Sequence, residues 1–180
     1  PKAKVNAEKA ISLNPNLAEA YTSLAWIQMT FEYDWAESEV NYKKAISLNP
    51  NYATNYQWYG LLLSISGKYD EAIDHLKKAM ELDPTSLIIP TNLSETYVAN
   101  KQFDLAVSAY KIAAKINPDF PSNLWNYVRC HTNYNDSIET LKNAIKGNPN
   151  TPMLRRFLFW SYMKNEDVAL AKDQLIYALD

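Results

Sequence analysis

Residues 53–84 read "ATNYQWYGLLLSISGKYDEAIDHLKKAMELDP". The first half sets Tyr56, Tyr59, Gly60 and Leu63 at spacings of three and four, so bulky and small side chains share one helical face. Gly67 then interrupts the pattern, in the way a left-handed glycine ends a helix. The second half carries Ala72, Leu76, Ala79 and Leu82 as another single stripe. Pro84 closes it, because proline cannot continue a helix and restricts the residue before it. The stretch therefore predicts two helices joined by a tight turn. Gly60 and Ala72 are the small residues that let the two nest, and Ala79 does the same toward the next unit.

Working outward, the closing segment recurs. "KAISLNP" ends at Pro15 and again at Pro50, "KAMELDP" at Pro84, "IAAKINP" at Pro118 and "NAIKGNP" at Pro149. The prolines fall 35, 34, 34 and 31 residues apart. Asn14, Asn49, Asp83, Asn117 and Asn148 precede them, and such side chains bond nearby backbone in turns. The small-residue logic repeats with Leu93, Ser94, Tyr97, Ala106, Tyr110 and Ala113, and again with Leu158, Tyr162, Ala171, Leu175 and Ala178. One helix pair cannot bury its apolar stripe alone, whereas stacked pairs bury it continuously. The expected fold is all-α, a solenoid of antiparallel helix pairs. The expected units are residues 15–50, 51–84, 85–118, 119–149 and 150–180, preceded by a lone second helix at 1–14. Beginning in mid-repeat, the chain reads as a fragment of a longer protein.

Two units are irregular. The first is longer and contains Asp34-Trp35; the extra length is expected to extend the turn, and Trp35, aligned with Tyr69, Phe103 and Tyr134, to be a core aromatic. The fourth is about three residues short near Arg129–Asn133, which predicts a shorter first helix.

Composition narrows the function. Apolar residues make up 47% of the chain, enough for a packed core, and the net charge of −2 with a pI near 5.7 provides no basic stripe for nucleic acid. No apolar run approaches the ~18 residues of a membrane span. The single cysteine, Cys130, excludes an internal disulfide and any zinc site needing two thiolates. It fits a cytoplasmic setting, with a periplasmic domain of a membrane-bound regulator as the alternative. His75 and His131 lie in different units, and no His-x-x-x-His or Glu-x-x-His pair offers a metal site. Cys130 and His131 are adjacent, and neighbours on a helix do not face each other. Three glycines cannot build a phosphate loop. The reading is no enzyme, no metal and no cofactor.

The pattern of Tyr56, Tyr59-Gly60, Tyr69, Ala72, Leu76, Ala79 and Pro84 resembles the tetratricopeptide repeat family, over essentially the whole chain. The resemblance implies that the solenoid is a right-handed superhelix, a protein–protein interaction module whose first helices line a concave groove. It places Glu19, Thr22, Trp26 and Met29 there, then Thr54, Gln57, Leu61 and Ser64, then Ile88, Thr91, Glu95 and Val98. Ser122, Trp125 and Arg129 follow in the fourth unit, and Met153, Arg156, Trp160 and Met163 in the last. Members that dock chaperone tails hold a carboxylate with Lys, Asn and Arg; here the matching positions include Thr22, Trp26 and Ile88, so that role is not expected.

Residues 31–60, "FEYDWAESEVNYKKAISLNPNYATNYQWYG", look more narrowly like repeats beside winged-helix, cyclase or kinase domains of bacterial regulators. That implies the docking or sensory arm of a transcriptional or signalling regulator. The three arginines, Arg129, Arg155 and Arg156, all fall on first helices of the last two units. Arginine forks match carboxylates. Arg129 and Arg156 are thus expected to converge beside Trp160 on an acidic–hydrophobic segment, with Trp26 and Leu61 meeting its other end. Two other classes stay open: a small-ligand sensor, and a scaffold that self-associates through Leu175, Ile176 and Leu179 of the final helix.

Overall fold

The computed structural model describes the backbone of residues 2–117, 121–130, 134–149 and 151–179, and the side chains of all of these but 121–123, 126, 129 and 175–179. Eleven α-helices are seen in the described residues, with no strand. They are α1 (Lys2–Leu13), α2 (Ala18–Ile27), α3 (Trp35–Leu48), α4 (Ala53–Ile65), α5 (Tyr69–Leu82) and α6 (Ile88–Ala99). There follow α7 (Phe103–Ile116), α8 (Pro121–Cys130), α9 (Tyr134–Gly147), α10 (Pro152–Lys164) and α11 (Val168–Leu179). The chain divides into two compact units, Pro1–Asn92 and Leu93–Asp180, with the boundary inside α6.

The residues that pair the helices are those the repeat singles out. Ala72, Leu76 and Ala79 are fully buried, as are Ala106 and Ala113. A Cβ on Gly60 would lie 2.8 Å from Leu76 Cγ and 3.2 Å from the Ala72 carbonyl oxygen, closer than real side chains pack. Elsewhere a hydroxyl occupies the crossing: Ser38 on α3 donates to the Ala25 carbonyl of α2 at 2.8 Å, and Ser94 on α6 to the Ala106 carbonyl of α7 at 2.9 Å.

Turns within pairs share one backbone form. Tyr33, Gly67, Lys101 and Glu166 have φ of 57°, 77°, 59° and 64°, each two residues before the next helix. Lys68, Gln102 and Asp167 donate their N–H to the carbonyls of Leu63, Tyr97 and Tyr162, five residues back. Such bonds satisfy carbonyls that a helix end leaves open. Asp34 reaches one residue further, to Gln28 at 3.0 Å. The extra residue of the first unit is therefore not in a longer turn, as expected, but inside the helix, as a π-helical stretch at Gln28–Glu32. Trp35 corrects a second expectation. It is the first residue of α3, after the Asp34 cap, and stays 42% exposed instead of entering the core. The described part of α8 runs Pro121–Cys130, and residues 118–120 and 131–133 on either side of it, with the expected shortening, lie outside the described residues.

Turns between pairs follow the Asn/Asp signal. The side-chain oxygens of Asn14, Asn49 and Asp83 each accept the backbone N–H two residues on, at 3.1 Å. In the first unit a polar group is sealed inside: Asn55 of α4 is fully buried, donates to the Tyr42 carbonyl at 3.1 Å and has its Oδ1 3.0 Å from the Thr22 hydroxyl of α2. In the second unit Leu124, Val128, Leu141, Leu154, Leu158, Tyr162 and Ala171 form the centre of the core. The side chains of Leu175, Ile176, Ala178 and Leu179, and with them the self-association surface, lie outside the described residues.

Ala72→Leu and Ala106→Leu should each overpack a helix crossing and cost about 1–3 kcal/mol, visible as a lowered midpoint in thermal melts. Thr22→Val should cost a similar ~1–3 kcal/mol, because it withdraws the donor beside a buried amide oxygen; urea denaturation measures it.

Candidate functional site

A first helix of each pair buries one face against its neighbours and turns the other outward. In the first unit the outward set falls on α2 and α4. Trp26 is half-buried and its ring centroid lies 4.7 Å from that of Trp58, with Leu61 packed on the same core cluster. Thr54, Gln57 and Ser64 are half-buried and Glu19 is exposed. Of the groove positions expected on α2 and α4 and between them, two are not surface at all. Thr22 is 1% exposed, held against Asn55, and Met29 is 4% exposed, in the core with Tyr42, Tyr59 and Leu63. Counted forward from Pro15, Met29 aligns with Ser64, Val98 and Met163. Counted back from the left-handed turn residue it aligns with Leu63, Tyr97 and Tyr162, all buried.

On α6, Ile88 and Glu95 are exposed, whereas Thr91 and Val98 are buried. In the second unit Trp125 of α8 is half-buried, stacked on Phe157 with centroids 4.8 Å apart and edge-on to Trp160 at 5.5 Å. Tyr134 meets Trp160 from α9 at 5.8 Å. Met153 and Met163 are 48% and 45% exposed on α10, and Arg156 is exposed between them. The Lys164 ammonium lies 5.5 Å from the centroid of the Trp160 ring, a cation–π distance. Arg155 turns aside to Gln174 at 3.4 Å. Ser122, Arg129 and His131 lie outside the described side chains, so the pairing of Arg129 with Arg156 is an expectation the structure does not address. Trp58, Phe157 and Lys164 join the set without having been singled out, although Lys164 stands four residues beyond Trp160, a spacing that places neighbours on one helical face.

Charge is arranged differently in the two units. In the first, Lys4, Lys43, Lys68 and Lys78 form ion pairs. Lys4 Nζ donates to both Glu32 oxygens at 2.7 and 2.8 Å. Glu39 accepts from Lys43 at 2.6 Å, from Lys68 at 3.2 Å and from the Tyr59 hydroxyl at 3.2 Å. The bonds from Lys43 and then Lys68 hold the Glu39 carboxyl below the usual glutamate range. Burial, aided by the Glu39 charge, pushes the Tyr59 phenol up to about 12. By contrast α10, "PMLRRFLFWSYMK", has three cations and no carboxylate. Among the described residues neither Arg156 nor Lys164 forms an ion pair.

Cavities lie where α1 meets α2. One of about 530 Å³ is lined by Lys2, Ala3, Lys4, Ile27, Phe31 and Glu32, but the Lys4–Glu32 pair already satisfies its own charges. No group of three or more His, Cys, Asp or Glu residues able to hold a metal occurs among the described residues. Nor is any helix among them long and apolar enough to cross a membrane.

Models of the tetratricopeptide repeat match residues 41–74 and 63–129. RNA polymerase II-associated protein 3 of Xenopus laevis is 40% identical over 55 residues, and the Homo sapiens protein 41% over 54. These segments span 31% and 30% of this chain but only 8% of each relative. Among solved structures, YrrB, described as a tetratricopeptide-repeat protein with an unusual peptide-binding site, superposes with a TM-score of 0.71 at 20% identity, covering 97% of this chain and 91% of its own. MamA of Desulfovibrio magneticus RS-1 gives 0.73 at 15%, covering 90% and 93%. Yeast Tom70 gives 0.73 at 18%, covering 97% of this chain and 38% of its own. At these identities the likeness is one of fold.

Because the Glu39 carboxyl is held low, its contribution to stability is present above the ordinary glutamate range and is lost as pH falls through the lowered value. Melting temperatures of the parent and Glu39→Gln should therefore differ at neutral pH and converge in acid. A constant difference across that range would remove the ion-pair account.

Proposed function

We propose that this chain, which carries tetratricopeptide repeats, is a docking module that holds a segment of another protein against the outward faces of its first helices. The observation that carries this reading is the outward face of α10. There Met153, Arg156, Trp160 and Met163 are exposed or half-buried in succession, beside an aromatic wall made with Trp125 and Phe157. Trp160 flanks the core cluster while Met153, Arg156 and Met163 lie outside it, and such residues are enriched where proteins meet. The preferred occupant is an acidic–hydrophobic segment, since the helix has cations without carboxylates in a chain whose net charge is −2. YrrB, similar in fold, is described as having a peptide-binding site, which supports a peptide over a metabolite. The likeness of residues 31–60 to repeats of bacterial regulators supports a docking or sensory arm of such a regulator.

A peptide array identifies a binding sequence, and Arg156→Ala and Trp160→Ala are then compared with the parent. A charge-assisted bond contributes about 1.5–3 kcal/mol, so the loss of Arg156 should weaken the selected peptide by roughly tenfold or more. The loss of Trp160, as a partly buried aromatic anchor, should cost at least as much. Two variants that both bind as tightly as the parent would show that the site lies elsewhere.

A further inference from the structure

Arg156, Trp160 and Lys164 follow one another at four-residue intervals on α10, and the Lys164 ammonium already lies against the Trp160 ring. A helix rises 1.5 Å per residue, so each interval is about 6 Å along the axis. An extended chain rises about 3.3 Å per residue and turns alternate side chains to the same side, which sets them about 6.6 Å apart. The two spacings agree to within about an ångström per step. An extended segment laid along α10 thus presents residues i, i+2 and i+4 to Arg156, Trp160 and Lys164.

The side chains state what those three residues should be. The outer two face a guanidinium and an ammonium that have no ion-pair partner among the described residues. Glu166 and Asp167 follow closely in sequence, but Asp167 is bonded to the Asn165 amide and neither forms an ion pair with Lys164. The middle residue faces the indole, flanked by the exposed Met153 and Met163. An extended occupant suits this face better than a helix. Helices approach closely where side chains are small, as at Gly60 and Ala72, and here the outward residues are all bulky.

Resting on the reading of α10 as a docking face, we infer that its occupant is an extended segment of acid–x–apolar–x–acid pattern, one carboxylate on Arg156, the apolar side chain on Trp160 and the other carboxylate on Lys164. Lys164 becomes a specificity-determining residue: it selects the second acid, and with it the spacing.

The test uses fluorescein-labelled peptides and the whole chain, read by anisotropy. The probe is Gly-Ser-Glu-Gly-Leu-Gly-Glu-Gly-Ser. Its controls move the glutamates to two or six residues apart, or replace both by glutamine. The probe should bind at least about tenfold more tightly than any control, and added salt should weaken it, as ion pairs at a solvent-facing site are screened. Lys164→Gln should lose most of the preference for the second acid, and Lys164→Arg should retain it. Equal binding of all spacings, or a Lys164→Gln variant with unchanged preference, would overturn the register. So would tighter binding of a helical probe with acids eight residues apart, or of a single-stranded oligonucleotide, than of the extended peptide. If the register fails while array-selected peptides still depend on Arg156 and Trp160, the docking reading stands without it. If no peptide depends on either residue, both fall.

Discussion

Helix pairs in this chain rest on a close approach that leaves almost no room for side chains at the crossing. Gly60 meets Ala72 so tightly that one added methyl would intrude on Leu76 and on backbone. The constraint is met by different residues in other pairs. Ala25 faces Ser38 and Ser94 faces Ala106, in each case with the serine hydroxyl donating to the opposite carbonyl. A hydroxyl is tolerated there because its hydrogen bond offsets its desolvation. Close packing of the backbones in turn fixes which residues on each helix point inward.

The left-handed turn enforces the same geometry from the other end. One of the four turn residues with positive φ is glycine; the others are tyrosine, lysine and glutamate. Their conformation costs more than it would for glycine, yet the bond five residues back recurs in three of the four turns and stretches by one in the other. The turn is held by packing of the helices it joins, and the local residue is secondary. This also explains the first unit. An extra residue could have loosened the turn, but that would break its cap, and the helix absorbs it as a π-helical stretch instead.

These two constraints account for what could be read in advance. Helix pairing, small-residue burial and the Asn/Asp turns were legible because each leaves a residue type at a fixed spacing, repeated several times. Met29 lies in the π-helical stretch, which the resemblance does not foresee, and counted from the turn it takes the place of the buried Leu63, Tyr97 and Tyr162. Trp35 was misplaced because its alignment with Tyr69 and Phe103 reads as core, although Phe103 is itself 45% exposed; a first-turn position outside the crossing carries no burial requirement. Trp58 and Lys164 were overlooked for a different reason. They face outward, where no repeat of spacing constrains residue type, so only the contacts to Trp26 and Trp160 bring them forward.

That division has a consequence for function. Residues at crossings and turns are committed to the fold and nearly interchangeable between units, so they cannot tell one partner from another. Discrimination must come from outward positions, and these differ: α4 presents Gln57 and Leu61 where α10 presents Arg156 and Trp160. In the first unit Glu39 takes two lysines and Glu32 takes Lys4. Pairs already closed offer a partner little, since binding must first break them. Arg156 and Lys164 form no ion pair among the described residues, and Trp160 supplies apolar area to accompany them. A carboxylate from another chain gains most where the protein has not supplied its own, which is why the proposed docking site is placed on the outward face of α10.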